Sequence, residues 1–179
     1  LIVAAKRPQE HERWLVLMRH SSAGQAETFF RQTGLHDSQR PLTEKGDRRN
    51  RRAVRGLIKL LPEIDRVWSS PYLRAQQTAA PLAEAAGCRV ETPELLQPPW
   101  RLELIGPWLE SELGLGQIGV LVGHEPDLSD LIGHWIGARH APVGMEKGAA
   151  CLLRIDGSLS HDMDHELIWK LPQYVLRSI

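Results

Sequence analysis

The segment WLVLM, residues 14–18, is an unbroken apolar run that stops at Arg19-His20 and continues into the small residues Ser21-Ser22-Ala23-Gly24. Runs of this length and composition form strands buried on both faces. Such a strand does not readily end on two adjacent basic side chains. Five further stretches read as short strands: DRVWSS at 65–70, CRVE at 88–91, IGVLVG at 118–123, ACLLRI at 150–155 and ELIWKL at 166–171. Helix-like stretches alternate with the first four. Thr43 is placed to cap a helix running to about Leu61, closed by Pro62, with Val54, Leu57, Ile58 and Leu61 as one apolar stripe. Ser70-Pro71 reads as the cap and first turn of a helix toward Gly87, with a kink or break near Ala79-Ala80 imposed by Pro81. Two more helices are predicted, over 102–113 and, started by Asp127, over 128–136.

Alternating strands and helices require a largely parallel sheet covered on both faces, and a domain of the α/β class. The last two strands have only DGSLSHDMD, residues 156–164, between them, which predicts a hairpin and therefore a mixed sheet. With 179 residues the chain is read as one domain, 1–179.

Open α/β sheets bind ligands beyond the carboxyl ends of their strands. Three predicted strands carry distinctive residues there. The first ends in Arg19-His20, the second in Ser69-Ser70-Pro71 with Arg74 a turn later, and the fourth in Gly123-His124-Glu125-Pro126. Any one of these alone is an ordinary surface or core residue, but two histidines and two arginines at matching topological positions predict a shared rim. Guanidinium groups with imidazoles and no carboxylate cluster suit an oxyanion rather than a metal ion. A neutral histidine in that ring has the chemistry to attack phosphorus and carry the phosphoryl group. Flanking positive charge disfavours its protonated form and stabilises the equatorial oxygens of the transition state.

The blocks LMRHSSAG, DSQRPLTEKG (37–46), SSPYLRAQQTA (69–79) and VGHEPDLS (122–129) occur in an order that resembles the histidine phosphatase superfamily, and most closely its SixA-type phosphohistidine phosphatases. The resemblance implies a three-layer α/β/α sandwich like that of the phosphoglycerate mutases, with a mostly parallel, mixed sheet. It implies that His20 is the phosphoacceptor, that Arg19, Arg74 and His124 complete the phosphate pocket, and that no metal or other cofactor is needed. Ser21 stands where the family commonly has glycine, and Ser22 where many SixA-type sequences have an acidic residue. Residues 23–36 are read as an enlarged loop at the mouth of the site. Glu125 resembles the acid that follows the second histidine in the acid-phosphatase branch and is the candidate proton donor, with Asp37 and Glu94 as further candidates. A phosphohistidine substrate lessens the need for such a donor, because its leaving imidazole has a pKa near ~6.5.

The favoured substrate is protein phosphohistidine. A small phosphomonoester, such as a sugar or nucleotide phosphate, and a non-catalytic phosphate- or phosphoprotein-binding module are the alternatives. Equal numbers of basic and acidic residues, 22 of each, argue against nucleic-acid binding. Within the run RRNRRAVR at 48–55, Arg48, Arg52 and Arg55, with Lys59 a turn later, then lie opposite the apolar stripe, on the solvent face of the helix. No apolar run approaches the ~20 residues of a membrane helix. Cys88 and Cys151 are expected to be unpaired, as suits a reducing cytoplasm. The LIVAA start is too short for a secretory core, and a chain beginning without Met is expected to be trimmed or incomplete at its N-terminus. HDMDH at 161–165 is read as a polar turn rather than a metal site.

Overall fold

The computed structural model describes residues 7–138, 143–159 and 165–179. Its sheet has six strands: β1 Glu12–Arg19, β2 Arg66–Ser69, β3 Val90–Glu91, β4 Ile118–Gly123, β5 Ala150–Asp156 and β6 His165–Leu171, in the order β3-β2-β4-β1-β5-β6. The β2–β3, β2–β4 and β1–β4 pairs are parallel; β5 runs antiparallel to both β1 and β6. The sheet is therefore mixed, as expected, with the reversal confined to β5. Residues 160–164 of the connection between β5 and β6, including most of HDMDH, lie outside the described residues.

Period-two alternation along the central strands sorts side chains into two cores. Leu15, Leu17, Trp68, Leu121 and Leu153 face one side, where they meet Ile105 and Leu109 of helix α4 (Leu102–Glu112) and Leu128 and Leu131 of helix α5 (Asp127–Trp135). Val16, Met18, Val67, Val120, Val122 and Leu152 face the other. There they meet Val54 and Leu57 of helix α2 (Glu44–Leu60), Ala79 and Leu82 of helix α3 (Leu73–Ala86) and Leu176 of helix α6 (Gln173–Leu176). Helices cover both faces, so the architecture is the three-layer α/β/α sandwich. At about 25 cal/mol per Å2 of apolar surface, each fully buried leucine contributes roughly 2 kcal/mol. The two cores stabilise the sheet between them.

Helix α2 begins where the sequence predicts: Thr43 Oγ1 accepts the N–H of Gly46 at 3.0 Å. Arg48, Arg52, Arg55 and Lys59 are exposed, as the solvated-face reading requires. Gly46 permits the end of this helix to press against the loop after β1, since a Cβ there would lie 2.1 Å from the Ser22 carbonyl oxygen.

Four expectations need correction. Helix α3 starts at Leu73, two residues later than the Ser70-Pro71 signal suggests; the Ser70 hydroxyl accepts the Tyr72 N–H ahead of the helix and contacts His124 Nε2. Pro81 does not break α3, which is continuous to Ala86. Burial of Ala79, Leu82 and Ala83 against the sheet outweighs one lost backbone bond, and Asn50 Nδ2 donates to the neighbouring Thr78 carbonyl at 3.0 Å. Only Val90–Glu91 of the third predicted strand pairs with β2. Residues 23–36 are no open loop: helix α1 spans Ala26–Thr33, ends on Gly34 at φ 69° and buries none of its residues.

Cys88 and Cys151 are both free; Cys151 is fully buried, and burial pushes its thiol up to about 12. Among the described residues no helix is long and apolar enough to cross a membrane.

Candidate active site

Parallel register brings three strand ends to one level. Arg19 pairs with Gly123 across β1 and β4, and Ser69 with Val122 across β2 and β4. Backbone bonds continue the stitching into the loops: His20 N–H donates to Gly123 O at 3.0 Å and Ser70 N–H to Val122 O at 2.9 Å. The three sequence blocks predicted to converge do converge, on the carboxyl edge of the sheet.

His20 is buried behind this edge. Its Nδ1 lies 2.7 Å from the Ser21 carbonyl oxygen, which can only accept. Nδ1 therefore carries the proton and Nε2 the lone pair. The His124 ring centroid lies 5.0 Å from that of His20, and Tyr72 meets His124 edge-on at 5.1 Å. His124 Nε2 contacts Ser70 Oγ at 2.8 Å, which leaves Nδ1 as the nitrogen free to meet a ligand.

Burial lowers His20 to about 3 against the resistance of its Ser21 hydrogen bond, with Arg74, Arg19 and Arg40 adding to the shift. Burial likewise lowers His124 to about 3, helped by His20 and Arg74. Both imidazoles are neutral near pH 7.

The arginines are held by acceptors that leave part of each guanidinium free. Arg19 donates through an Nη to the Met145 carbonyl at 2.8 Å. Arg74, only 6% exposed, donates to the Asp37 carbonyl at 2.8 Å and pairs with Asp37 Oδ2 at 3.1 Å, while its guanidinium stacks 4.9 Å from the Tyr72 centroid. Among the described residues the buried Nε of Arg19 and of Arg74 has no hydrogen-bond partner. Unmet cationic donors beside two neutral imidazoles form a place for an oxyanion.

Asp37 is thus an anchor. Burial would raise its carboxyl, but hydrogen bonds from Arg40 and the charges of Arg74 and Arg40 outweigh it and hold the group below the usual carboxylate range. A carboxylate kept ionised cannot donate a proton. Glu94 is exposed on the short turn Glu94–Leu96. Glu125 is half-buried beside His124; its Oε2 accepts from Ser129 Oγ at 2.5 Å, and among the described residues its Oε1 has no partner.

Sequence reasoning passed over Arg40. Its Nε donates to Asp37 Oδ1 at 2.7 Å, and an Nη donates to the carbonyls of Ala23 and Gly24 at 3.0 and 2.9 Å. Its charge adds to those of Arg74 and Arg19 in lowering His20, and it also lowers Arg74. The signal was present in DSQRPLTEKG, where Asp37 and Arg40 sit one short turn apart. Ser70 was also undervalued, being read as a helix cap. Among the described residues no group of three or more His, Cys, Asp or Glu side chains is disposed to hold a metal ion.

Comparison with known proteins bears on the family and the fold. The profile of the histidine phosphatase superfamily (branch 1) matches residues 15–97. An uncharacterized protein of Picosynechococcus sp. is 35% identical over 125 residues, covering 64% of this chain and 76% of that protein. Among solved structures, the protein histidine phosphatase SixA in complex with tungstate superposes with a TM-score of 0.72 at 22% identity, over 91% of this chain and 99% of that one. Mycobacterial glucosyl-3-phosphoglycerate phosphatase superposes with a TM-score of 0.67 at 18% identity, over 88% and 97%. At these identities the structures establish a shared fold, which is the phosphoglycerate mutase-like sandwich the sequence resemblance implies. With the family profile, the four ordered sequence blocks and the fold in agreement, the chain belongs to the histidine phosphatase superfamily.

Proposed function

We propose that this chain is a phosphatase that works without a metal ion through a covalent phosphohistidine on His20, with protein phosphohistidine as its favoured substrate. The observation that carries the reading is the contact of His20 Nδ1 with the Ser21 carbonyl at 2.7 Å. Nδ1 is spent on that carbonyl, the His20 ring centroid lies 5.0 Å from that of His124, and the charges of Arg74, Arg19 and Arg40 act on the imidazole. Burial and the surrounding guanidiniums keep the imidazole neutral, and a neutral imidazole is the form that attacks.

In the first step the Nε2 lone pair forms a bond to phosphorus. The bond from phosphorus to the leaving group breaks, and its electron pair departs with that group, which takes up a proton. Arg19, Arg40 and Arg74 neutralise charge on the equatorial oxygens, and His124 donates from Nδ1. In the second step water attacks phosphorus, the bond from phosphorus to Nε2 breaks with its electron pair returning to Nε2, and the water's proton passes to solvent as inorganic phosphate leaves neutral His20. Asp37 holds two of the three guanidiniums in place, so its role is to orient charge and not to transfer protons.

The structural likeness to SixA supports a phosphohistidine substrate, as does the modest demand an imidazole leaving group places on a general acid. The likeness to glucosyl-3-phosphoglycerate phosphatase favours a second reading, a small phosphomonoester, for which Glu125 would protonate the leaving oxygen. The free thiols are in keeping with action in the cytoplasm.

The test measures wild type and His20→Ala, in chelator, on a phosphohistidine peptide and on an aryl phosphate. Turnover confined to wild type, faster on the peptide, is the expected result. Faster turnover of the aryl phosphate would move the assignment to phosphomonoesters. Phosphopeptide binding without turnover in either protein would replace the enzyme by a binding module.

A further inference from the structure

Directly behind His20 lies Ser21, wholly buried, in a position where phosphoryl chemistry calls for no hydroxyl. Every polar group it owns is engaged. Its N–H donates to Thr78 Oγ1 at 3.0 Å, and Thr78 Oγ1 in turn donates to the Arg74 carbonyl at 2.7 Å. Its Oγ donates to the Gly46 carbonyl at 3.0 Å and accepts from Gln173 Nε2 at 2.9 Å. Its carbonyl is the acceptor that holds the His20 Nδ1 proton.

The Gln173 end of this chain of contacts is equally constrained. Gln173 is the first residue of α6, 152 positions from Ser21 in sequence, and is only 8% exposed. Its amide crosses Gly148, where a Cβ would lie 2.2 Å from Gln173 Nε2 and where φ is 75°. Gly148 N–H is shared between the carbonyls of Arg19 and His20, at 3.1 Å each. The amide therefore packs on the residue that grips the Arg19-His20 backbone and reaches through to the residue that grips the His20 ring.

A neutral imidazole can carry its proton on either nitrogen, and only the Nδ1–H form leaves Nε2 with a lone pair. That choice depends on which way the Ser21 peptide plane turns. Resting on the reading of His20 as nucleophile, we infer that Ser21 and Gln173 act as a positioning clamp: their buried side-chain bond fixes the Ser21 carbonyl toward His20 Nδ1, so the C-terminal turn supports the nucleophile's tautomer. Neither residue touches substrate. Both act through His20.

The test uses the full chain labelled with 15N-histidine, as wild type, Ser21→Ala, Gln173→Ala and the double variant. The His20 resonances are assigned by their loss in His20→Asn. The wild type should show one Nδ1–H tautomer, and each variant a mixture. Phosphoenzyme formation in a single turnover should fall about tenfold, the equivalent of ~1.4 kcal/mol, while affinity for vanadate stays within about twofold. The double variant should be no slower than the slower single one, as expected for a shared contact. Variants that keep the wild-type tautomer overturn the clamp, as does a loss of rate that tracks vanadate affinity. Ser21→Ala removes one oxygen atom and decides the matter if Gln173→Ala fails to fold. A wild type that forms no phosphoenzyme would sink the proposed function, while the 15N spectra would still decide the clamp.

Discussion

Lowering the pH should unfold this protein through the two buried histidines of the candidate site, and the size of the effect follows from their burial. His20 and His124 each fall from an ordinary value of 6.5 to about 3 in the folded chain, chiefly because burial penalises the imidazolium, with neighbouring cations pushing the same way. The unfolded chain then binds more protons than the folded one between pH 6.5 and pH 3. Stability is complete above about 6.5 and is lost as pH falls through that window. Between pH 8 and pH 5 the linkage amounts to roughly 2 kcal/mol for each histidine, about 4 kcal/mol together. Urea unfolding in phosphate-free buffer, followed by the fluorescence of the six tryptophans, gives the stability at each pH. Carboxylates common to all variants cancel when the pH dependence of wild type is compared with that of His20→Asn and of His124→Asn. Each variant should lose about 2 kcal/mol of the pH 8 to pH 5 difference, equivalent to a urea midpoint change of roughly 1 M. An unchanged pH dependence in His20→Asn would refute the reasoning. It would mean that His20 titrates normally in the folded state and that burial does not hold its imidazole neutral below pH 6.5.

Arg74→Ala should reduce turnover by about 10²-fold or more and abolish vanadate inhibition, because it removes a buried cation and releases Asp37 from one of its two partners. Steady-state kinetics with a vanadate titration measure both. Glu125→Gln should slow hydrolysis of an aryl phosphate and spare a phosphohistidine peptide if Glu125 protonates a leaving oxygen; equal effects on the two substrates would remove it from that role. Gly46→Ala should destabilise the fold by roughly 1–3 kcal/mol, since the new Cβ would meet the Ser22 carbonyl at 2.1 Å. A thermal melt should show a fall of roughly 2–4 °C for each kcal/mol.

The parts of the molecule that were legible in its sequence depend on neighbours along the chain or on simple periodicity. WLVLM reads as a two-faced strand because alternate residues serve different cores, Leu15 and Leu17 on one side and Val16 and Met18 on the other. Thr43 announces α2 because capping is a local bond to Gly46. The convergence of Arg19, His20, Arg74 and His124 follows from strand polarity alone, once the sheet is known to be parallel there. Helix α1 escaped because no core side demanded a periodic apolar stripe from it. Its stop signal, Gly34, was readable, but nothing called for a start. The Ser21–Gln173 contact spans 152 residues and joins two polar side chains, which no local pattern can reveal.

Ser70 shows why the errors near the site take the form they do. A serine before a proline after a strand is, by local rules, a helix cap. In the folded chain the same hydroxyl accepts the Tyr72 N–H at 3.3 Å and braces His124 Nε2 at 2.8 Å. The backbone N–H it accepts lies ahead of the helix, and α3 begins at Leu73 without a side-chain cap. A residue at a strand end that departs from its local preference has a partner distant in sequence, here His124 of the candidate site. The same reasoning applies to Asp37, which the sequence offered as an acid and which two arginines have claimed as an anchor.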